Sequence, residues 1–428
     1  MVQQGSLTII TPVPRDRVDE LNLVLDAIGR DVAKNGRILN LPAITTIHLC
    51  SFTLINDDPS FEPSLAFECN HDGPPEACLA DLIRHGREGL LAIYKFCAGF
   101  SPDRLEDYLL DHRVKTAAFY VGCRGQSVGD IRNAFGVRQA VQAFVDQHQT
   151  ELANLSARDV HRRIKRFLVE ESPVKPLTSA CTLDAQTRKA WTVTSLLVLA
   201  VLAAIVFLPV LVGLPWWVGP LVVVGLLGGY FFFLRLREKA DDVPLVPANL
   251  PIDRRIFGHE DVFVMNHMTT MVNVRPGKFR LGTLKVVLWL IDLLARIFFT
   301  RGELGGIPTI HFARWLFTDH DRRLLFYSNY DGSWASYLGD FVDKANFGLT
   351  AVWSNTDRFP PSKWLFFEGA MHIEAFKAWS REHNLYTAVW YSAYGQETLW
   401  NLRKDVRFRD TVGHDLSEAN AAKLLRLL

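Results

Sequence analysis

Two stretches of the chain place a histidine upstream of an aspartate in the same local setting. "TIHLCSFTL" (46–54) leads to "CNHDGPP" (69–75), and "TIHFARWLF" (309–317) leads to "SNYDGSW" (328–334). Each reads T-I-H, a strand, a short polar turn, a second strand and N-x-D-G, with Asp72 24 positions after His48 and Asp331 20 after His311. The longer turn "INDDPSFEP" absorbs that difference, so the chain carries an internal repeat. An Asp-Gly after a strand serves first as a turn or helix cap, because glycine accepts positive φ and the carboxylate accepts backbone N–H groups. Asp72, followed by Gly73-Pro74-Pro75, reads as a cap. Asp331 is surrounded by Tyr327, Asn329, Tyr330 and Trp334, with Arg314 on the neighbouring strand. A carboxylate and a guanidinium so placed can transfer a proton and stabilise developing charge, which makes Asp331, Arg314 and Asn329 the candidate catalytic group.

The elements that must position these residues follow from the hydrophobic pattern. The first half reads as strand "LTIITPV", a helix near 15–34, strands 46–54 and 64–70, a helix near 75–98 and strand 116–122. The second reads as strand 261–274, a helix near 281–299, strands 309–317 and 323–329, a helix near 333–347, then "WLFFEGA" and "TAVWYSAY" as strands around a helix over 372–383. The order is βαββαβ twice, an α+β fold of two ferredoxin-like repeats whose sheets pack face to face as an αβ barrel. Domain limits fall at 1–150 for the first repeat, 151–189 for a helical linker, 235–258 for a second linker, 259–412 for the second repeat and 413–428 for a C-terminal helix. On the 309–317 strand, His311 and Arg314 lie on opposite faces, so only one of them can point between the sheets.

Between the repeats lies a different material. From 190 to 234 no residue is charged, a run about twice the ~20 residues that one spanning helix needs. "GLPWWVGP" interrupts it with two prolines and two tryptophans suited to a membrane interface, which predicts a transmembrane helical hairpin over 190–234. Arg188 and Lys189 precede the run and "RLREK" follows it. The positive-inside rule therefore places both soluble modules in the cytoplasm of a multi-pass inner-membrane protein. Gly225 and Gly229 form a G-x-x-x-G through which the two spans could pack. "LGTLKVVLWLIDLLARIFF" (281–299) carries only Lys285, Asp292 and Arg296, on one stripe, so this helix either fills a core or lies on the membrane surface, where an adjoining cavity would receive lipophilic molecules.

With 428 residues, 49% hydrophobic content and a net charge of +1, the chain has room for two or three globular modules and no basic field for nucleic acid. The six cysteines lie in the first half without a C-x-x-C pair, which suits reduced thiols rather than disulfides or zinc.

Element order together with N-x-D-G resembles the dimeric αβ-barrel superfamily, in particular its dye-decolourising peroxidase and chlorite dismutase branch, whose G-x-x-D-G motif is similar. That resemblance implies haem, with Asp331 or Asp72 over the iron. His311, His267 and His372 are then the candidate axial ligands, weighed against hydrogen-bonded core histidines. Two functional readings follow. One is a membrane-anchored haem-peroxidase-like oxidoreductase acting on a lipophilic substrate. The other is a non-catalytic membrane protein whose barrel binds a lipid or a partner protein. Other αβ-barrel chemistries, such as monooxygenation without a cofactor, stay open.

Overall fold

A computed structural model describes residues 4–34, 36–177, 183–241, 254–259, 263–300, 302–395 and 397–428. Cys181, and residues 242–253 of the stretch expected as the 235–258 linker, lie outside the described residues. The first half contains β1 (Gln4–Pro12), α1 (Val18–Val32), β2 (Ile47–Ile55), β3 (Ser64–Asp72), α2 (Pro75–Tyr94), α3 (Leu105–Asp111) and β4 (Thr116–Val121), followed by α4 (Val128–Gln147), α5 (Gln149–Leu152) and α6 (Ala157–Glu170). The apolar run forms α7 (Leu183–Leu211) and α8 (Val218–Ala240), and a short α9 (Arg254–His259) follows. The second half contains β5 (Met265–Asn273), α10 (Lys278–Ile297), β6 (Ile310–Thr318), β7 (Arg323–Asp331) and α11 (Trp334–Trp353). It continues with β8 (Ser362–Lys363), β9 (Phe367–Glu368), α12 (Ile373–Glu382), β10 (Asn384–Leu385), β11 (Thr387–Ser392), α13 (Leu399–Val412) and α14 (Glu418–Leu425).

Apart from the two-stranded β8–β9 hairpin, the strands form two antiparallel sheets, ordered β1-β3-β2-β11 and β10-β5-β7-β6-β4. Each half therefore gives its last long strand to the other half's sheet. Local periodicity cannot announce such an exchange, because a strand's pattern fixes which face is buried and not which edge it joins. The two sheets remain separate and do not close on one another as a hydrogen-bonded barrel. The unit expected over 1–150 is likewise not self-contained, since β4 pairs with β6.

Registers of the two halves coincide. Gln4 opposes Asp72 as Met265 opposes Asp331. The β2–β3 ladder skips His48, and the β6–β7 ladder skips His311 in the same way. Asp72 N–H donates to Thr46 O at 2.8 Å and Asp331 N–H to Thr309 O at 3.0 Å. Both glycines after these aspartates have positive φ, 74° and 82°, a region glycine occupies without steric cost.

Helices cover the outer sheet faces. Leu7, Ile9, Phe52 and Phe67 pack with Leu21, Leu25, Leu79 and Leu90 of α1 and α2, while Trp315, Phe326 and Tyr330 pack with residues of α10, α11 and α12. The inner faces meet through Ala66, Met271, Leu325 and Tyr327, and through Leu49, Val121 and Phe312. The stretches expected as a linker and a separate terminal helix form one layer. Val137, Val141, Ile164, Leu168, Phe408 and Leu424 join α4, α6, α13 and α14, and Arg138 pairs with buried Asp405 at 2.7 Å.

The run 364–370 is not one strand. Only Phe367–Glu368 are paired, and residues 364–366 form the turn of the β8–β9 hairpin, where Trp364 and Leu365 have φ of 55° and 70°. Their N–H groups converge on Glu238 at the end of α8, at 2.9 and 2.8 Å, while Arg235 donates to the same carboxylate at 2.8 Å.

Trp191–Leu211 and Val218–Ala240, 21 and 23 residues, are long and apolar enough to cross a membrane. At ~1.5 Å per residue they reach about 32 and 35 Å, against a hydrocarbon core of ~30 Å. Their close approach is at Gly219, where a side chain would collide with Ile205 O. Gly225 and Gly229 face open space, so the G-x-x-x-G does not pack this hairpin.

Candidate functional site

The His–Asp pairs are structural twins. His48 Nε2–H donates to Asp72 Oδ1 at 2.8 Å, and Asp72 Oδ2 accepts from Val128 N at the start of α4 at 2.8 Å. His311 Nε2–H donates to Asp331 Oδ1 at 2.6 Å, and Asp331 Oδ2 accepts from Leu399 N at the start of α13 at 2.7 Å. Each aspartate thus caps a helix some 56 or 68 residues downstream instead of the helix that follows it. A carboxylate suits that place because a helix N-terminus presents unpaired N–H groups and a positive dipole end. Both oxygens of Asp331 are committed, and its setting is no more open than that of Asp72. The copies differ at the other ring nitrogen, where His48 Nδ1 meets Tyr394 Oη, but both aspartates have both oxygens engaged.

Arg314 belongs to a different network. Because of strand alternation it points between the sheets, while Ala313 and Trp315 face the helices. There it pairs with Glu68 of the opposite sheet, both side chains being fully buried. It also donates to Asn70 Oδ1 at 2.8 Å and to Thr8 Oγ1 and Leu7 O at 3.2 Å. From there the bonds run in a ring. Asn70 Nδ2 donates to Asn329 Oδ1 at 3.2 Å, and Asn329 Nδ2 to His267 Nδ1 at 2.7 Å. His267 Nε2–H lies 3.2 Å from Ser51 Oγ, which donates to Glu68 Oε1 at 3.3 Å. Asn70 and Asn329 are the first letters of the two N-x-D-G copies, and they meet at the centre of the molecule.

Burial, reinforced by the charge of Arg314, lowers the His267 pKa to about 3, so its ring is neutral, with Nδ1 accepting and Nε2 donating. Burial also pushes the Glu68 carboxyl up, and the Arg314 guanidinium opposes that shift. The ring of His267 stacks on Trp390 at 4.9 Å. His372 stands apart, exposed at the start of α12.

The residues between the sheets do not fit a haem. His267 spends both ring nitrogens inside the ring of bonds, while His311 engages Asp331 through one nitrogen, a bond that a metal-bound imidazole also makes. His372 faces solvent away from both, and the guanidinium that would polarise a peroxide is neutralised by Glu68. Asp331 and Arg314 also belong to separate networks, so they form no joint acid–base pair. His161, in the basic stretch "VHRRIKRF", is buried and donates to Val412 O at 2.9 Å.

Glu68, Asn70 and Ser51 escape sequence reasoning. Only Asn70 carried a signal, its place in the first N-x-D-G; the ion pair of Glu68 with Arg314 spans 246 residues and two sheets.

A second feature lies at the hairpin. Leu227, Tyr230 and Phe231 of α8, Phe279, Val286 and Leu290 of α10, and Ala351 and Phe366 line an apolar groove of about 710 Å³. Tyr230 Oη is hydrogen-bonded to Thr283 Oγ1 at 2.9 Å at its edge. Val286, Trp289, Leu290, Leu294 and Phe298 leave the α10 face beside it exposed. The charges of α10 are spent elsewhere: Lys285 binds Asp321, and Asp292 binds Arg296 and accepts from Phe119 N at 3.2 Å.

No family model matches the chain, and no curated protein or solved structure shows significant similarity to it.

Proposed function

We propose that the protein is a non-catalytic, membrane-anchored lipid-binding protein. Its two ferredoxin-like halves, with exchanged fourth strands, form a cytoplasmic body that rests on the bilayer and receives a lipophilic molecule from the inner leaflet. The observation that carries this reading is the 710 Å³ groove, whose walls are apolar and one of whose sides is a helix long and apolar enough to cross a membrane. A chain leaving the bilayer along α8 would exchange one apolar environment for another. The exposed face of α10, with Trp289 at its centre, supplies the surface that settles into the interface. The oxidoreductase alternative lacks support in the arrangement of the inter-sheet residues, where Arg314 is paired with Glu68 and both nitrogens of His267 are hydrogen-bonded.

Gly282 lines the groove, with nothing within 4 Å of where a side chain would begin. Gly282→Trp should fill it without disturbing the fold. Native mass spectrometry of the detergent-purified protein should find a retained lipid in the unmodified chain and at least a severalfold loss in Gly282→Trp at equal melting temperature. Equal lipid retention by both would end this reading. Haem supplementation should leave no Soret band.

A further inference from the structure

The two halves match residue for residue around the sheet seams, so the places where the match fails are informative. One seam lies between β1 and β4, the other between their counterparts β5 and β11. The first is sewn shut. Gln4 Nε2 donates to Cys123 O at 3.1 Å and to Gln126 O at 2.9 Å, and Gln4 Oε1 accepts from Gly125 N at 2.8 Å. Ser6 Oγ meets Thr116 Oγ1 at 3.1 Å, and Arg314 fills the interior behind them, with its guanidinium 6.0 Å from the Phe119 ring.

At the second seam the same positions hold different residues. Met265 stands where Gln4 stands, since each opposes the aspartate of its own N-x-D-G, and a thioether cannot bridge to the facing loop. Ser51 takes the place of Arg314, because each lies three residues beyond the histidine that its ladder skips. The ring of His267, where the first seam has Ser6, takes up the room beside Ser51, and the seam without its clasp holds a cleft of about 520 Å³, entered beside α1 and floored by His267, Met265 and Trp390. Its size lies within the ~300–1,000 Å³ of small-molecule sites.

We infer that the β5–β11 seam is a binding site for an uncharged, planar small molecule, absent from its twin seam. Trp390 presents an indole, stacked on His267, against which a flat ring can lie. His267 is neutral, and Thr387 and Ser392 offer hydroxyl groups along the wall, so the inner part of the cleft carries no charge. The charged residues, Asp26, Arg30 and Arg255, all come from α1 and α9 at the entrance, where Asp26 and Arg255 pair at 3.3 Å. Seated against His267 and Trp390, past the entrance, an ionised ligand would lose its hydration without a counter-charge beside it. This inference is independent of the lipid groove, which lies at the hairpin.

The test uses the full chain in lipid nanodiscs with 7-methoxycoumarin, a neutral planar probe, followed by its fluorescence against empty nanodiscs. Saturable binding is expected. Met265→Gln restores the clasp of the closed seam and should reduce affinity at least tenfold without lowering the melting temperature. Trp390→Leu should weaken it about two- to tenfold, the worth of one aromatic stack. Coumarin-3-carboxylate should not compete, and Gly282→Trp should change nothing. No saturable component above empty nanodiscs, unchanged affinity in both seam variants, or equal competition by the carboxylate would each overturn the proposal.

Discussion

At the residue scale, N-x-D-G does two structural jobs with two of its letters. The asparagines join the sheets at the molecular centre, and the aspartates tie a bulged histidine to a distant helix start. Asp72→Asn and Asp331→Asn should therefore behave alike. Each trades a charge-assisted pair for a neutral one and should cost about 1–3 kcal/mol, measured by denaturant unfolding. A large difference between them would restore a special role for one copy. Acid should also weaken the fold through buried imidazoles. The pKa of His267 falls from 6.5 to about 3, and those of His71 and His383 to about 4, because burial disfavours their charged forms. The unfolded chain then binds more protons than the folded one between about pH 6.5 and these lower values, so stability is full above 6.5 and is lost as pH falls through that window. Glu68, Asp357, Glu382 and Asp405, whose carboxyls burial raises, work in the opposite sense, so the part due to the imidazoles is read from a histidine variant. Denaturation midpoints at pH 7 and pH 5 should differ, and His267→Gln should shrink the difference. The same difference in His267→Gln as in the unmodified chain would contradict this account.

At the element scale, the repeat was legible wherever period and turn chemistry act locally. The T-I-H strands, their hairpins, the Asp-Gly turns and the apolar hairpin could all be read from neighbouring letters. What stayed hidden depends on partners far away in sequence. The aromatic run 364–370 has strand composition, yet Trp364 and Leu365 take left-handed backbone because Glu238, more than 120 residues earlier, collects their N–H groups. The caps given by Asp72 and Asp331 likewise belong to helices that no local pattern connects to them. The Glu238 contact fixes α8 to the body, so the hairpin is coupled to the second sheet and is more than a tether. Glu238→Ala should strip the N–H groups of buried Leu365 and of the more exposed Trp364 of their acceptor, at about 1–3 kcal/mol for the buried one. Hydrogen exchange should then rise across 362–368 while protection of β6 and β7 holds. Unchanged exchange in that loop would mean that the turn is stable without the carboxylate.

At the scale of the whole molecule, the exchange of β4 and β11 makes each half depend on the other. The sheet built on β1, β2 and β3 is completed by β11, and the sheet built on β5, β6 and β7 is completed by β4. Without its partner, the first half would expose the outer edge of β2, a row of unpaired backbone groups, and the inner face that carries Glu68. Glu68 would lose Arg314, and the inner apolar residues would lose Met271, Leu316 and Leu325 across the interface. The helical layer divides in the same way, since α4 and α6 need α13 and α14. Residues 1–177 expressed alone should therefore show no sharp unfolding transition. Co-expressed with residues 183–428 as a separate chain, they should assemble into a complex that unfolds cooperatively and survives gel filtration. A sharp transition from 1–177 alone would show that the first sheet stands without β11, and that the two halves are neighbours rather than one interlocked body.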